Sequence, residues 1–466
     1  MKKLSILFIL LAGFTFTSSA QDTQWIDYTN GDHISTLAFD GNNWMVYDTT
    51  NSGLPDLDYI TSIAIEDNVT KWIGGFVYQG GGGPSFKISL VSFDGNSWSV
   101  YDTSNCDLPN HWINAIAIDD LGEKWIGTGT PQWNEGGLAV FDNNNWTVYN
   151  TSNSGLLHNC ITSVAIDMNG TKWIGTGFSV GVMWGGAGLA TFNGSNWVNY
   201  NTSNSQLPSD IVNAIAIDGN DTKWIGTTNG LAIYDGSNWV VYNTSNSSLP
   251  GNYITEISID GNDTKWIGTY DFEHSGALVW LGMTSYDGNN WVQYDTSNSE
   301  LPCNCINAIA IENNDIIWIG TGGGGLASFD GINWTIYNES NSALTSNWIG
   351  SVAIDNNGTK WIGSGGDLAA FNENGIPVGI EDLTADNGQS SVLIYPNPAT
   401  NTISLVSQGG TELISLEILD IQGKVILHQD MMDNNFSVSV GNYPGGLYFV
   451  RILTSKGIEV EKLVIQ

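Results

Sequence analysis

Residue types able to do chemistry are few in this 466-residue chain, and their spacing limits what they can be. Five histidines, at 33, 111, 158, 274 and 428, fall in no nucleophile motif. No His-x-x-x-His or Cys-x-x-Cys pair is present to seat a transition metal. Carboxylates do recur at regular places: Glu66, Asp119, Asp167, Asp218, Asp260, Glu312 and Asp355. Gathered on one face, they could ligate calcium or serve as acids. However, Lys71, Lys124, Lys172, Lys223, Lys265 and Lys360 follow six of these acids by five residues, across a turn. Cross-strand ion pairs are therefore the expected use, with calcium the weaker alternative and no other cofactor implied. The sixth repeat breaks the pattern with Ile317. No residue is assigned a catalytic role.

Compartment and charge narrow the partners. Lys2 and Lys3, the apolar run from Leu4 to Phe16 and the small residues Ser18-Ser19-Ala20 read as a signal peptide over residues 1–20. No later run offers eighteen apolar residues, so no transmembrane segment is expected after its removal. The net charge of −34 comes from 47 acids against 13 bases. Between residues 21 and 385 there are seven lysines and no arginine, so no nucleic acid and no anionic membrane is expected as a partner. The acidity itself serves solubility.

Internal repetition shows what positions these groups. A Trp-Ile-Gly signal recurs at Trp72, Trp125, Trp173, Trp224, Trp266, Trp318 and Trp361. An Asn/Ser-Trp-x-x-Tyr signal recurs at Trp44, Trp98, Trp146, Trp197, Trp239, Trp291 and Trp334. Each unit holds four short β-type runs, illustrated by Ile161–Ile166 (A), Thr171–Gly175 (B), Gly188–Phe192 (C) and Trp197–Tyr200 (D). Turns such as Asp-Gly-Ile-Asn at 330–333 separate them, and no stretch reads as a helix. Repeated four-strand units specify an all-β fold, a β-propeller over residues 21–375. Seven blades are preferred, the last borrowing its D strand from Trp44 to Tyr47. The unplaced runs at Gln24-Trp-Ile26 and Ser35–Phe39 keep an eight-bladed ring open.

The recurring Ile-x-Ser-x-Ala-Ile-Asp, Lys-Trp-Ile-Gly-Thr and Gly-Leu-Ala segments resemble the two-component regulator propeller repeat. The resemblance covers about residues 24–372. It implies a propeller, and in relatives a periplasmic sensor region joined to a kinase. No kinase region follows here, so signalling by this chain alone is not expected.

Composition changes after Gly375: residues 376–390 read as a linker, and 391–466 as a small Ig-like β-sandwich. Tyr395-Pro396-Asn397-Pro398, Leu419-Asp-Ile-Gln-Gly423-Lys-Val425 and Tyr443-Pro-Gly-Gly446-Leu-Tyr448 precede a terminal Lys462-Leu-Val-Ile-Gln466. In this order they closely resemble the type A sorting domain of the type IX secretion system. The resemblance implies a Bacteroidota source, passage through the periplasm, and type IX machinery as a partner. It further implies removal of this domain by a sortase-like protease, and a product secreted or held on the outer cell surface.

The strand order places D-to-A and B-to-C loops on one face, the top. B-to-C loops are long in repeats 1, 2, 3 and 5, and function concentrates on the variable loops of a rigid scaffold. Five tryptophans lie outside the repeat positions, namely Trp112, Trp133, Trp184, Trp280 and Trp348, and all map to this top face. Residues read as equivalent to Trp112 and Trp348 in other repeats are Tyr59, Cys160, Asp210, Tyr253 and Cys305. A mouth rimmed by Tyr59, Trp112, Trp133, Trp184, Asp210, Tyr253, Trp280 and Trp348 could stack sugar rings or another flat ligand. The same aromatics could instead pin their own loops. Cys106 and Cys160 sit in consecutive top loops and are candidates for a disulfide, against free buried thiols. The sequence therefore suggests a non-enzymatic, surface-displayed or secreted propeller that binds glycan or protein ligands, and a monomer. An extracellular carbohydrate-active enzyme, lyase or hydrolase, is the alternative.

Overall fold

The computed structural model describes residues 24–30, 33–39, 43–76, 90–95, 97–110, 112–130, 135–180, 183–272, 278–313 and 315–373 of the repeat region. Beyond it, it describes 392–396, 399–407, 413–419, 425–430, 435–444, 446–454 and 457–465. The signal peptide and the linker expected from sequence lie outside the described residues, as do Trp133, Asn397, Pro398 and Gly423.

Seven four-stranded antiparallel sheets lie between Trp44 and Phe371, each a meander with its first strand innermost. Blade 3 is representative: A Ile161–Ile166, B Lys172–Thr176, C Leu189–Phe192 and D Trp197–Tyr200. Asp and Gly turns make the hairpins, and Gly170 with φ 74° closes the tight A-to-B turn. The A strands touch in sequence around the ring, and Ile349–Ile354 of blade 7 packs on Tyr59–Glu66 of blade 1. The fourth strand of blade 7 is Trp44–Tyr47, with Trp44 opposite Phe371 and Tyr47 opposite Leu368. Closing the last sheet with a strand from the other end of the repeat region covers an edge that would otherwise invite pairing. The runs Gln24–Asn30 and His33–Phe39 pair with each other as a separate two-stranded sheet.

Both faces of every blade are covered, which is why B strands are buried along their whole length. Within each blade the last aromatic of C stacks on the Trp opposite it in D. Examples are Phe93–Trp98 at 4.2 Å, Tyr286–Trp291 at 4.3 Å and, across the closure, Phe371–Trp44 at 4.4 Å. Such pairs contribute about 0.5–1.5 kcal/mol beyond their buried area. The recurring Trp content thus builds the ring.

The acids and lysines also build it, though not as the sequence suggested. Lys172 lies opposite Ile166 and Trp173 opposite Ala165. Side chains alternate faces along a strand, so Trp173 and Asp167 share one face and Lys172 occupies the other. Each acid therefore accepts the indole N–H of its own blade, as in Trp72–Glu66 at 2.8 Å and Trp173–Asp167 at 2.9 Å. Each lysine reaches across to the preceding blade. Lys124 Nζ lies 2.5 Å from Glu66, Lys172 3.1 Å from Asp119, Lys223 3.4 Å from Asp167 and Lys360 3.1 Å from Glu312. The same ammonium sits over the preceding Trp ring, 4.2 Å from Trp361 for Lys71 and 5.0 Å from Trp72 for Lys124. The expected pairing within one hairpin is thus replaced by an interlock between blades. At Ile317 the lysine is missing, and Ile317 packs with Trp266 instead. Burial pushes the Asp119 carboxyl up. Hydrogen bonds from Glu123 N–H, Lys172 and Trp125, with the Lys172 charge, outweigh this and hold it below the usual range.

A second interlock lies near the channel. Every A strand is bulged after its first buried aliphatic residue, for example between Ile113 and Ala115. In five blades the side chain within the bulge donates to the equivalent carbonyl of the next blade. Thr61 Oγ1 reaches Ile113 O at 2.6 Å, and Asn114 Nδ2 reaches Ile161 O at 2.8 Å. Asn213 and Asn307 do the same to Ile254 and Ile349.

The C-terminal unit is two sheets around one core. Val392–Tyr395, Thr402–Ser407 and Asn435–Ser439 form the first. Leu413–Leu419, Val425–Asp430, Gly446–Thr454 and Gly457–Ile465 form the second. Alternate residues such as Ile403, Leu405, Leu416, Ile418, Val450 and Ile452 fill the space between the sheets. Gly446 opens its strand, and Tyr448 donates its hydroxyl to Pro444 O at 2.8 Å, so this motif ties a turn to the strand that follows. Tyr395 is exposed and Pro396 follows it at the end of the first strand.

Candidate functional site

The top of each A strand is fixed before it can present a ligand-facing side chain. The D-to-A loop is the repeated Asp/Asn-x-x-Asn-Ser-x-Leu segment, folded on its own side chains. In blade 2, Asn153 Nδ2 donates to Val148 O, Ser154 Oγ to Asn150 O, and Leu156 is buried below. In five of the loops an Asn or Asp near the end takes a backbone N–H from eight residues earlier: Asn159 from Thr151, Asp210 from Thr202, Asn252 from Thr244, Asn304 from Thr296 and Asn347 from Glu339. Asp210 is thus a loop brace one residue before the mouth position, which Ile211 holds. The spacing to Trp-Ile-Gly marks the position in sequence, since Ile211 stands as far before Trp224 as Trp112 does before Trp125. The mouth positions are Tyr59, Trp112, Cys160, Ile211, Tyr253, Cys305 and Trp348, each preceding a buried Ile or Val.

These positions divide into two kinds of surface. Cys160, Ile211 and Cys305 are buried and offer no ring. Across blades 7, 1 and 2 runs a continuous aromatic arc. Trp348 meets Tyr59 edge-on at 5.9 Å, Tyr59 lies 5.3 Å from Phe76, and Phe76 stacks on Trp112 at 4.2 Å. Its backbone is well held: Gly365 N–H bonds Trp348 O, Gly129 N–H bonds Trp112 O, and Trp348 bridges Gly322. Trp348 is 43% exposed and Tyr59 38%, the most open of the mouth aromatics among the described residues. Sequence reasoning missed Phe76, which extends strand B of blade 1 and lies opposite Tyr59. Its signal was an aromatic two residues past the Gly of Trp-Ile-Gly, a place that Tyr270 alone shares, in blade 5.

Blade 5 carries the second cluster. Its B and C strands run on as a longer hairpin, Lys265–Phe272 with Leu278–Tyr286. Tyr253 stacks on Tyr270 at 4.7 Å, Phe272 closes edge-on at 5.0 Å, and Trp280 lies 5.0 Å from Tyr270. Tyr253 is buried, so here the loop-pinning role expected as the alternative applies. Burial and the nearby Asp271 raise its phenol above the ordinary value. Trp184 lies on a short extra hairpin of blade 3, Phe178–Val180 with Met183–Gly185.

The cysteines are all free thiols. Cys106 takes the serine position of its loop, with Sγ directed to Asp102 O at 3.1 Å, as Ser154 does in the next blade. Cys160 is buried at the mouth, and desolvation pushes its thiol up to about 12. The disulfide considered from sequence is therefore absent, because Cys106 is folded back into its own loop. Among the described residues no group of three or more His, Cys, Asp or Glu is placed to hold a metal ion. The seven repeated acids are already engaged by indoles.

One chemically distinct residue escaped the sequence reading. The position opposite the Gly of Trp-Ile-Gly is Ser62, Ala115, Ser163, Ala214, Ala308 or Ser351 in six blades and Glu256 in blade 5. It lies on an innermost strand, partly open to the channel. Desolvation pushes its carboxyl up to about 8, opposed only in part by a bond from Ile257 N–H. The signal was a charge at a place where the repeat allows only small residues.

Comparisons with known proteins agree with this architecture. Residues 393–466 match the family described as "Secretion system C-terminal sorting domain". The chain is similar in structure to the extracellular domain of BT3049, described as a hybrid two-component system of B. thetaiotaomicron. That match has a TM-score of 0.56 and 19% identity, covering 93% of this chain and 58% of that one. It is also similar to PorZ, a surface component of the type-IX secretion system of Porphyromonas gingivalis. There the TM-score is 0.51 at 16% identity, over 93% of this chain and 63% of that one. The chain thus spans about three-fifths of each of these two proteins, and likeness at this identity shows the fold. No curated protein matches the sequence. No described helix is long and apolar enough to cross a membrane. The chain is a β-propeller protein carrying a type IX secretion sorting domain at residues 393–466, and is exported by that route to the cell surface or beyond.

Proposed function

We propose that this protein is a non-enzymatic binding propeller that takes a glycan on the aromatic arc at its top mouth. The observation that carries the reading is the exposed Trp348–Tyr59 edge continued by Phe76 and Trp112. Flat rings on a rigid scaffold bind the apolar faces of sugars at little entropic cost. The excess of 47 acids over 13 bases disfavours phosphorylated or sulfated ligands and leaves neutral or cationic ones. During export the sorting domain is removed by a sortase-like protease after engaging the type IX machinery, and the propeller is left at the surface or released. No calcium or other cofactor enters this reading.

The test is a glycan-binding screen of the propeller with wild type, Trp348→Ala and Tyr59→Ala. Saturable binding that drops at least about tenfold in both variants, roughly 1.4 kcal/mol, supports the reading. Shortened products would convert the protein into a carbohydrate-active enzyme, and binding untouched by both variants would move the site elsewhere.

A further inference from the structure

The joint between blades 5 and 6 departs from the ring in three ways. The lysine that would cover Trp266 is Ile317. The bulge side chain Thr255 fails to reach the next blade, and its buried Oγ1 has no hydrogen-bond partner, whereas Thr61, Asn114, Asn213 and Asn307 all reach theirs. The next residue is Glu256, a carboxylate where the equivalent position of every other blade is Ser or Ala.

Thr255 and Glu256 are consecutive on strand A and both adjoin Gly268 of the facing strand. Glu256 lies opposite Gly268, and a Cβ at Gly268 would stand 2.5 Å from Thr255 Oγ1. Among the described residues the equivalent positions carry no cation: those of blades 4 and 6 are Ala214 and Ala308, and the others are Ser or Ala. The six repeat lysines stand at the far end of the blades, each against an indole of the preceding blade. A carboxyl left uncompensated in such a place is expensive to ionise, and desolvation pushes that of Glu256 up. Two carboxylate oxygens and one free hydroxyl oxygen make three acceptors, the number of N–H donors on a primary ammonium.

We propose that Glu256 and Thr255 form a subsite in the channel wall for a primary ammonium group, so that the ligand of the mouth is an amine-bearing saccharide. The saccharide part rests on the mouth reading, while the charge rests on Glu256 alone. An entering ammonium takes the place of the proton on the carboxyl, which leaves to solvent, so binding converts a neutral acid into an ion pair. Removing the methyl-bearing acyl group from an amino sugar creates such a ligand, and the N-acetylated form lacks it.

Two arms separate the claims. In protein carrying 13C at glutamate carboxyls, the Glu256 signal is identified by its loss in Glu256→Gln. Methylammonium at tens of millimolar should lower the pH at which Glu256 titrates by about one, a tenfold preference for the ionised form, while methanol should not. An unmoved titration overturns the subsite. In the second arm, a glucosamine oligomer and its N-acetylated counterpart are titrated into wild type, Glu256→Gln and Trp348→Ala. The amine form should bind wild type about tenfold tighter, and Glu256→Gln should erase that preference while leaving the N-acetylated form unchanged. Equal affinities in wild type overturn the ammonium inference and leave the mouth standing. Binding of neither saccharide sinks the mouth reading, and the methylammonium result then decides the carboxyl by itself. A single cooperative melting transition of Glu256→Gln at pH 5, where wild type also carries a neutral side chain, shows that the variant is folded.

Discussion

Replacing Lys124 by Met should weaken the propeller more than any surface change. Lys124 is fully buried, with Nζ 2.5 Å from both Glu66 Oε1 and Asn143 Oδ1 and 5.0 Å from the Trp72 ring. Methionine keeps most of the packing but leaves the Glu66 carboxylate half served, held only by Trp72 Nε1 at 2.8 Å. Breaking one side of a buried pair costs about 3–5 kcal/mol. The remaining indole bond argues for the lower end, about 3 kcal/mol. At about 2.1 cal/mol/K per residue over ~330 residues, that is a fall in Tm of ~4 °C. The assay is thermal and denaturant unfolding followed by Trp fluorescence, with the double variant Lys124→Met/Glu66→Gln. Removing the stranded charge as well should recover at least about 1 kcal/mol, because the penalty is one of an unpaired ion. A loss below about 1 kcal/mol for Lys124→Met, or no recovery in the double variant, would refute the interlock between blades.

Other consequences are as direct. Ile317→Lys should be accommodated within about 1 kcal/mol by Asp260 and Trp266, where a buried lysine without a partner costs several; a loss of about 3 kcal/mol by the same unfolding assay would contradict this. The pH profile has two limbs. Asp119, Asp167 and Asp218 are held below the usual carboxylate range, so their contribution is full above the unfolded value and lost as pH falls through the folded one. Glu256 is raised, so its folded form holds a proton that the unfolded form has lost, and stability falls as pH rises from about 4 to about 8. Wild type should therefore lose stability against Glu256→Gln between pH 5 and 9 in Tm measurements, and parallel profiles would count against a raised carboxyl. Cys106→Ser should be neutral to within about 0.5 kcal/mol, since serine occupies that place in most blades, while Cys160→Ser buries a hydroxyl and should cost about 1–3 kcal/mol. Thiol counting by mass spectrometry under native, non-reducing conditions should show no Cys106–Cys160 bridge.

Period and turn chemistry made the scaffold readable before any coordinates. Trp-Ile-Gly and Trp-x-x-Tyr mark B and D strands because a strand buried on both faces needs those volumes, and the observed runs Lys172–Thr176 and Trp197–Tyr200 fall within a residue of the expected ones. The loan of Trp44–Tyr47 to the last sheet followed from counting strands. Partnership between blades was not readable. An acid five residues before a lysine suggests a hairpin pair, but alternation sends Asp167 and Lys172 to opposite faces, and only the ring geometry supplies the second partner. The bulge likewise has no sequence mark, whereas the mouth position does: Ile211, not Asp210, keeps the spacing to Trp224 that Trp112 keeps to Trp125. Phe76 and Glu256 were legible in principle as departures from the repeat, and a departure from a repeat is where a ring of equivalent blades acquires a direction.

The central claim is that the mouth arc of blades 7, 1 and 2 binds saccharide after export. Isothermal titration of saturating glycan hits from the screen into the secreted propeller, wild type beside Trp348→Ala, tests it most directly. The account predicts a single site on wild type and a loss of at least about tenfold in affinity for the variant with unchanged melting. Equal affinity in the two proteins would contradict it.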